Sequence, residues 1–449
     1  MRYVMFVDRI EIPNVTTVSS SNLFLYDVDN DGDLELVIGN WDTGDLADTA
    51  PTNGTLLVLK YGKVWLKCCN LNMVTCVSAG RLCSRDKSLI VALCADSHCY
   101  LFDATTQPFL ESGNNVDEPS LMRPSYHQKL AFNAKDVRIV DGEGPCDMVA
   151  AYSDRVVRLF RWKQSPDAKE EFDGELVLLL KWELAGQISR ISFHSTPNEK
   201  NLFVASQPGG GFAFLQKKFE TYNDRICPML VYHPPKLTAI RSVETRTWVI
   251  GNVKKGVQSH GPGGEPSCNY YMAVCLADGT VLLLDADLDK NEVLWCAQLQ
   301  VQGELFGLST LNFTSEDTED VSVCCWDGST YIFNYRKDIL RFLVGQSCQA
   351  FTSGKYAMRR GHNEPVLVYA TCESSLLIYY NLNVDSIPIY SLTQKIYLRP
   401  SLLKKLEDLG VNTSNSDQVR QAVHYLLYEF GRREHHQSLM GGGPEHPQP

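Results

Sequence analysis

Residues 271–285 read YMAVCLADGTVLLLD, and this stretch decides the fold. An almost unbroken apolar run meets Ala277-Asp278-Gly279, and a second apolar run follows. Asp-Gly between two β-prone runs is a strong hairpin signal, because glycine supplies the positive φ that tight turns require. Neither run alternates polar with apolar residues, as the inner strands of stacked sheets must when a neighbour covers each face. The unit recurs at 34–60 (LELVIGN, then NGTLLVLK), 89–103 (LIVALCADSHCYLFD), 147–162 (DMVAAYSDRVVRLFRW), 202–215 (LFVASQPGGGFAFL), 321–334 (VSVCCWDGSTYIFN) and 365–380 (PVLVYATCESSLLIYY). Ala92, Ala150, Ala205 and Ala273 lie inside these runs and let neighbouring sheets approach closely. Seven hairpins spaced by roughly 45 to 70 residues suit one four-stranded propeller blade each. A β-sandwich uses fewer hairpins at shorter spacing.

The run at 3–12 precedes the first unit and is expected to complete the last blade, removing the free sheet edge. After about residue 390 the period changes. PSLLKKLEDLG at 400–410 puts Leu402, Leu403, Leu406 and Leu409 on one helical face, with Pro at the start and Gly at the end. SDQVRQAVHYLLYEFGRR follows, with Ser416 as the expected N-cap and Val419, Val423, Leu426, Leu427 and Phe430 as its apolar stripe. The expected organisation is all-β: a seven-bladed β-propeller over 1–390, a C-terminal α-helical hairpin over 391–432 that docks on the propeller or on a partner, and a disordered tail over 433–449. The charged segment 163–175 and the Gly/Pro/Ser-rich segment 254–269 read as surface loops.

The 449 residues are 44% hydrophobic and 21% charged, enough to bury a large core. A net charge of −11 argues against a general nucleic-acid binder, which needs a basic face. No apolar stretch reaches about 18 residues, so no transmembrane segment is expected. MRYVMFVDRIEIPN has no signal-peptide layout, and the chain reads as cytoplasmic. In that compartment the fifteen cysteines are expected to be reduced and mostly buried. The adjacent pairs Cys68-Cys69 and Cys324-Cys325 suit neither a zinc knuckle nor a redox motif. Without an export signal, the Asn-x-Ser/Thr sequons at Asn14, Asn53, Asn312 and Asn412 read as chance. Nucleophile-elbow, Walker, zincin and dinucleotide motifs are missing, so no enzymatic activity is expected. His98 and His194 read as structural; His435, His436 and His446 fall in the tail. Arg155, Arg158 and Arg161 read as strand charges facing solvent, and Trp41 opens an insertion over 41–53 that packs on a neighbouring blade or anchors a partner.

The candidate site is DVDNDGDLELVIGN, residues 27–40. Five acidic side chains fall within nine residues: Asp27, Asp29, Asp31, Asp33 and Glu35. Calcium takes six to eight hard oxygen ligands, and alternate residues of a tight loop turn theirs inward. Gly32 permits the sharp bend, and Asp33 is expected to offer its backbone carbonyl. An EF-hand is excluded, because Ile38 stands where it needs a glutamate and the flanks are strands. The spacing DxDxDGxxE between strands resembles the FG-GAP repeat of integrin α-chains. That resemblance implies one structural Ca2+ or Mg2+ in the first blade, held by Asp27, Asp29, Asp31, the Asp33 carbonyl and Glu35. Gly39-Asn40-Trp41 stands where that repeat usually has Gly-Ala-Pro. The corresponding positions of the third unit are Ile139, Asp141, Glu143, Gly144 and Asp147, and of the sixth Asn312, Thr314, Glu316, Asp317 and Asp320. Both sets are eroded, which points to a propeller that does not depend on metal throughout.

DVDNDGDLELVIGN, AYSDRVVRLFRWK (151–163), IGNVKKG (250–256), CCWDGSTYIFN and YLRPSLLKKLEDLGV resemble, in order and spacing, the integrin-alpha FG-GAP repeat-containing protein 2 family. The resemblance implies a non-catalytic scaffold subunit of the KICSTOR complex, with kaptin and the other KICSTOR subunits as partners and the GATOR complex reached indirectly. It further implies recruitment to the lysosomal membrane surface and restraint of TOR complex 1 when amino acids or glucose are scarce. The alternative is a stand-alone calcium-binding propeller that acts as a ligand-binding or adhesion module.

Overall fold

In the computed structural model each of the seven hairpins is the inner pair of four antiparallel strands, and two of the seven sheets add a short parallel strand at the outer edge, Arg2–Val4 in one and Ser120–Leu121 in the other. The structure describes residues 2–4, 7–16, 18–42, 53–106, 119–140, 147–169, 171–196, 201–217, 227, 229–233, 245–256, 270–285, 292–299, 301, 303–313, 317–382, 392–397 and 399–428. Blade 1 comprises Leu23–Tyr26, Glu35–Asp42, Asn53–Lys60 and Lys63–Leu71. Blade 2 comprises Val74–Gly80, Leu89–Cys94, His98–Phe102 and Tyr126–Lys129. Blade 3 comprises Ala134–Val140, Asp147–Tyr152, Val156–Gln164 and Gly174–Glu183. Blade 4 comprises Ile191–His194, Leu202–Ser206, Phe212–Leu215 and Met229–Tyr232. Blade 5 comprises Thr247–Lys254, Tyr270–Leu276, Thr280–Asp285 and Glu292–Gln298. Blade 6 comprises Leu305–Leu311, Asp320–Cys325, Ser329–Phe333 and Ile339–Leu343. Blade 7 takes Cys348–Arg359, His362–Thr371 and Ser375–Tyr380, and its fourth strand is Asp8–Pro13 from the other end of the chain.

The expected N-terminal strand thus closes the ring, but only its second half does so. Arg2–Val4 instead lies parallel to the outer strand of blade 6, with Tyr3 opposite Arg341.

The same turn chemistry recurs between the inner strands of four blades. Asp96, Asp154, Asp278 and Asp327 each accept a bond from the N–H two residues on, at 3.2, 3.1, 3.0 and 2.8 Å. The intervening residues Ser97, Arg155, Gly279 and Gly328 all have positive φ. Aspartate fixes such a turn by mimicking a backbone acceptor, which is why it outlasts the glycine here.

The second strands of blades 2, 3 and 6, Leu89–Cys94, Asp147–Tyr152 and Asp320–Cys325, are buried at every residue. Inner-strand side chains form one apolar cluster at each of the seven blade interfaces, the last uniting Leu36, Ile38 and Leu59 of blade 1 with Val366, Val368 and Ile378 of blade 7. First strands touch in sequence around the ring, blade 7 meeting blade 1. Arg190, just before the first strand of blade 4, donates at 2.5 Å to the Leu308 carbonyl of blade 6. Arg138 of blade 3 stacks 5.4 Å from the Phe24 ring of blade 1 and pairs with Asp136 at 3.3 Å. Both arginines reach between blades that are not neighbours, so side chains cross the axis.

The chain divides into two compact units, 1–384 and 385–449. The second holds α1 (Leu392–Tyr397), α2 (Pro400–Asp408) and α3 (Ser416–Tyr428). Ile396, Leu406 and Val419 form its core, joined by Leu402, Leu403 and Val423. Leu409, Leu426 and Leu427, expected in the apolar stripes, are exposed. The cap of α3 is Asn415 rather than Ser416: Asn415 Oδ1 accepts from the N–H groups of Asp417 and Gln418, at 3.0 and 3.3 Å. An amide oxygen one residue earlier reaches the free N–H groups of the first turn, which Ser416, already helical, cannot. Gly410 ends α2 with φ +79°, and the Val411 N–H donates back to the Leu406 carbonyl. Phe430 and the tail 433–449 lie outside the described residues.

Among the described residues no helix is long and apolar enough to cross a membrane. The thirteen described cysteines are free thiols. Burial pushes Cys68 up to about 11 and Cys94 to about 12, and raises Cys99 and Cys275 as well.

Two measurements check this arrangement. Deleting residues 1–13 strips blade 7 of its outer strand and exposes the edge of Ser375–Tyr380; size-exclusion chromatography is expected to show loss of monomer to aggregates. Iodoacetamide at pH 8 is expected to modify the exposed Cys69 and Cys372 at once, and Cys76, Cys99, Cys275 and Cys324 only after denaturation, as read by peptide mass spectrometry.

Candidate functional site

Blade 1 bends between its first two strands at the acidic loop, and the register of the sheet brings a lysine to it. Leu36 pairs with Leu59, so the next step outward sets Glu35 across from Lys60, the last residue of the third strand. The Lys60 Nζ lies 2.6 Å from Asp29 Oδ2, 2.7 Å from Asp31 Oδ2 and 2.9 Å from Glu35 Oε1. The side chains of Lys60 and Glu35 are 2% and 0% exposed. The rings of Trp65 and Tyr61 flank the ammonium at 5.1 and 5.4 Å. Burial works against the charge of Lys60, yet bonds to the three carboxylates hold its ammonium above its ordinary value. Burial pushes Glu35 up to about 8, with Lys60 and the Val28 N–H pulling the other way. Burial also raises Asp29, whereas at Asp31 burial is outweighed by Lys60 and the Asp33 N–H, and its value falls.

The other two acids are engaged by the backbone and by blade 7. Asp27 accepts the N–H groups of Asp31 and Gly32 at 3.2 and 3.0 Å, and Gly32 has φ +92°. The Asp33 carboxylate accepts from the Tyr61 hydroxyl at 2.6 Å and from the Gly361 N–H at 2.9 and 3.1 Å. Asp33 was expected to act through its carbonyl, but its carboxylate carries the contacts across the seam. Asn363 completes the clasp: its Oδ1 accepts from the Leu34 N–H at 2.8 Å and its Nδ2 donates to the Gly32 carbonyl at 2.9 Å. The Gly62 N–H donates to the Tyr356 hydroxyl at 2.8 Å, and the Ala357 N–H to the Leu34 carbonyl at 2.9 Å. The loop therefore joins the first blade to the last.

Asp27, Asp29 and Glu35 each place one carboxylate oxygen within 4.8 Å of the others, the spacing a metal would need. Two of these acids, Asp29 and Glu35, also bind Lys60. A divalent ion there would meet an ammonium already bound to Asp29 and Glu35, so the residues as arranged do not fit one. Asp29 Oδ1 and Glu35 Oε1 are buried without a hydrogen-bond partner, Glu35 Oε1 lying 2.9 Å from the Lys60 ammonium, and two such oxygens are far short of a calcium shell.

The matching corner of blades 2, 3 and 5 is closed by ion pairs. In blade 2 Lys87 meets Asp103 at 2.5 Å and reaches Glu171 at 2.9 Å. In blade 3 Arg161 grips Asp147 through two bonds, at 2.7 and 3.1 Å. In blade 5 Lys255 meets Asp285 at 2.7 Å. In blade 6 Asp320 accepts from the Phe313 N–H at 3.2 Å, as Glu35 does from Val28 at 3.0 Å. Asn312 donates to the Thr318 carbonyl. Asp141, Glu143, Gly144, Thr314 and Glu316 lie outside the described residues.

The remaining candidates are engaged in structural contacts. Arg158 pairs with Asp154 at 2.5 Å over the Tyr152 ring, and Arg155 donates to the Ala185 carbonyl. His98 bonds Asp96 and stacks on Tyr100; His194 is buried beside Phe214. Trp41 is half-buried, its carbonyl accepting from Thr16, and residues 43–52 of the insertion lie outside the described residues, as do His435, His436 and His446. Lys60 is the functional residue that pattern reading missed. Its signal is a lone lysine ending the apolar strand TLLVLK, one register step from Glu35.

Seven blades in a ring, with a DxDxDGxxE loop between the first two strands of blade 1, define an FG-GAP-type β-propeller. The chain belongs to the integrin-alpha FG-GAP repeat-containing protein 2 family, whose family model matches residues 60–384. It is 32% identical over 448 residues to the Mus musculus protein named KICSTOR complex protein ITFG2, covering 95% of this chain and 96% of that one. The Bos taurus protein of the same name is 31% identical over 418 residues, covering 89% of this chain and 75% of that one. Among solved structures, BBS1N crystallised with ARL6DN superposes with TM-score 0.57 at 11% identity, covering 85% of this chain and 98% of that one. Raptor of Chaetomium thermophilum gives TM-score 0.51 at 12% identity, covering 83% of this chain and 28% of that one. These two likenesses are of fold alone.

Asn363→Ala removes both bonds of the clasp, one part-buried and one exposed. It is expected to cost about 0.5–1.5 kcal/mol, read as a lower thermal midpoint with unchanged far-UV circular dichroism.

Proposed function

We propose that this protein is a non-catalytic scaffold subunit of the KICSTOR complex. The observation that carries this reading is the similarity to the mouse KICSTOR complex protein, which spans 95% of this chain and runs through all seven blades. The arrangement of the axis agrees with a scaffold. Arg138 pairs with Asp136 there, Asp136 accepts from the Ile191 N–H at 2.8 Å, and Arg190 donates to the Leu308 carbonyl. In this reading kaptin and the other KICSTOR subunits are the direct partners. The assembly lies at the lysosomal surface, held there through partners, where it recruits the GATOR complex and restrains TOR complex 1 during amino-acid or glucose scarcity. The calcium-dependent adhesion module is the weaker reading, since the acidic loop already holds a cation of its own.

Affinity purification of the tagged full chain from starved cells tests the proposal. Kaptin and the other KICSTOR subunits are expected among the co-purifying proteins by mass spectrometry. Their absence from the eluate, with the chain itself folded and recovered, would sink the reading.

A further inference from the structure

We propose that the acidic loop of blade 1 carries its own cation: the Lys60 ammonium stands where a loop of this spacing would hold calcium, and the propeller closes without a divalent ion. Three observations converge on this. The Nζ contacts Asp29, Asp31 and Glu35 at 2.6–2.9 Å, so one ammonium bridges three of the five acids. Asp27 and Asp33 are already engaged by N–H groups and the Tyr61 hydroxyl, which leaves few oxygens for an ion that takes six to eight. Lys60 is enclosed between the Trp65 and Tyr61 rings and has no exposed position to retreat to.

The other blades supply an independent argument. Lys87–Asp103, Arg161–Asp147 and Lys255–Asp285 close the matching corner with one basic and one acidic side chain. The partners exchange strands from blade to blade. In blades 1 and 3 the base comes from the third strand, and in blades 2 and 5 it comes from the first-to-second connection. What persists in these four blades is the ion pair itself. Blade 1 therefore matches blades 2, 3 and 5, with further acids gathered on the same lysine. This inference does not rest on the complex proposed above.

Calorimetric titration and thermal melting of the purified full chain decide it. After EGTA treatment the wild-type protein is expected to take up no calcium in a saturable way and to melt at the same temperature in EGTA as in millimolar calcium. Lys60→Met is expected to melt lower in EGTA by about 5 °C, because the carboxylates lose their counter-charge. Calcium is expected to recover part of that loss in the variant, since the freed acids can then coordinate it. One-to-one calcium heat with a raised midpoint in the wild type overturns the proposal. A variant that melts with the wild type, or one that calcium leaves unchanged, equally overturns the claim that the lysine stands in for the ion. If Lys60→Met yields no folded protein, the wild-type titration decides alone.

Discussion

The pairing of Asp8–Pro13 with Ser375–Tyr380 is the constraint on which the rest of the propeller depends. Each blade buries both faces of its inner strands against two neighbours, so no blade is stable with one side open. Six of the seven interfaces form between blades consecutive in sequence. The seventh unites blade 1 with blade 7. Two devices meet there. The N-terminal strand supplies backbone bonds to blade 7, and the acidic loop of blade 1 clasps the turn around Gly361 and Asn363. Loop-closure entropy grows only slowly with length, so the long separation between these partners costs little more than a short one.

The inner hairpins were legible in the sequence because burial on both faces leaves no room for polar residues, and the turns carry Asp in register. The outer strands were not. Tyr126–Lys129 and Met229–Tyr232 are half exposed, and a sequence such as YHQK has no pattern that distinguishes strand from loop. The division of the N-terminal segment between blades 6 and 7 was equally hidden, since RYV and DRIEIP are both plausible edge strands. Helix α1 was overlooked because six residues are too few to display a period. In the acidic loop, Asp27 to Glu35 could be read directly, whereas Lys60, Tyr61, Gly361 and Asn363 could not. These arrive from other strands, and only the register of the sheet brings them in. A metal-ligand spacing describes the acids alone, and it is silent on which cation the fold delivers.

Buried ion pairs contribute less to net stability than their short distances suggest, because each charge must first be stripped of water. Their value in this propeller is better understood as geometric. A blade corner joins three chain segments, and an apolar contact there would tolerate sliding. An acid and a base one register step apart do not, since a slip of one residue turns the side chain to the opposite face. In blades 1 and 3, where both partners stand on paired strands, such a pair fixes the register of the sheet.

The fourth strand of blade 7 is made before any blade it helps to enclose, and its partner emerges more than three hundred residues later. At synthesis rates of about 5–20 residues per second, that interval lasts tens of seconds. Throughout it, strands such as LIVALC and VSVCCW exist without the ring that covers them. They are β-prone, uncharged and free of proline, the composition of aggregation-prone segments. The nascent chain therefore requires shelter until its last blade is released, which sets a demand on cellular folding assistance that its finished, closed surface no longer reveals.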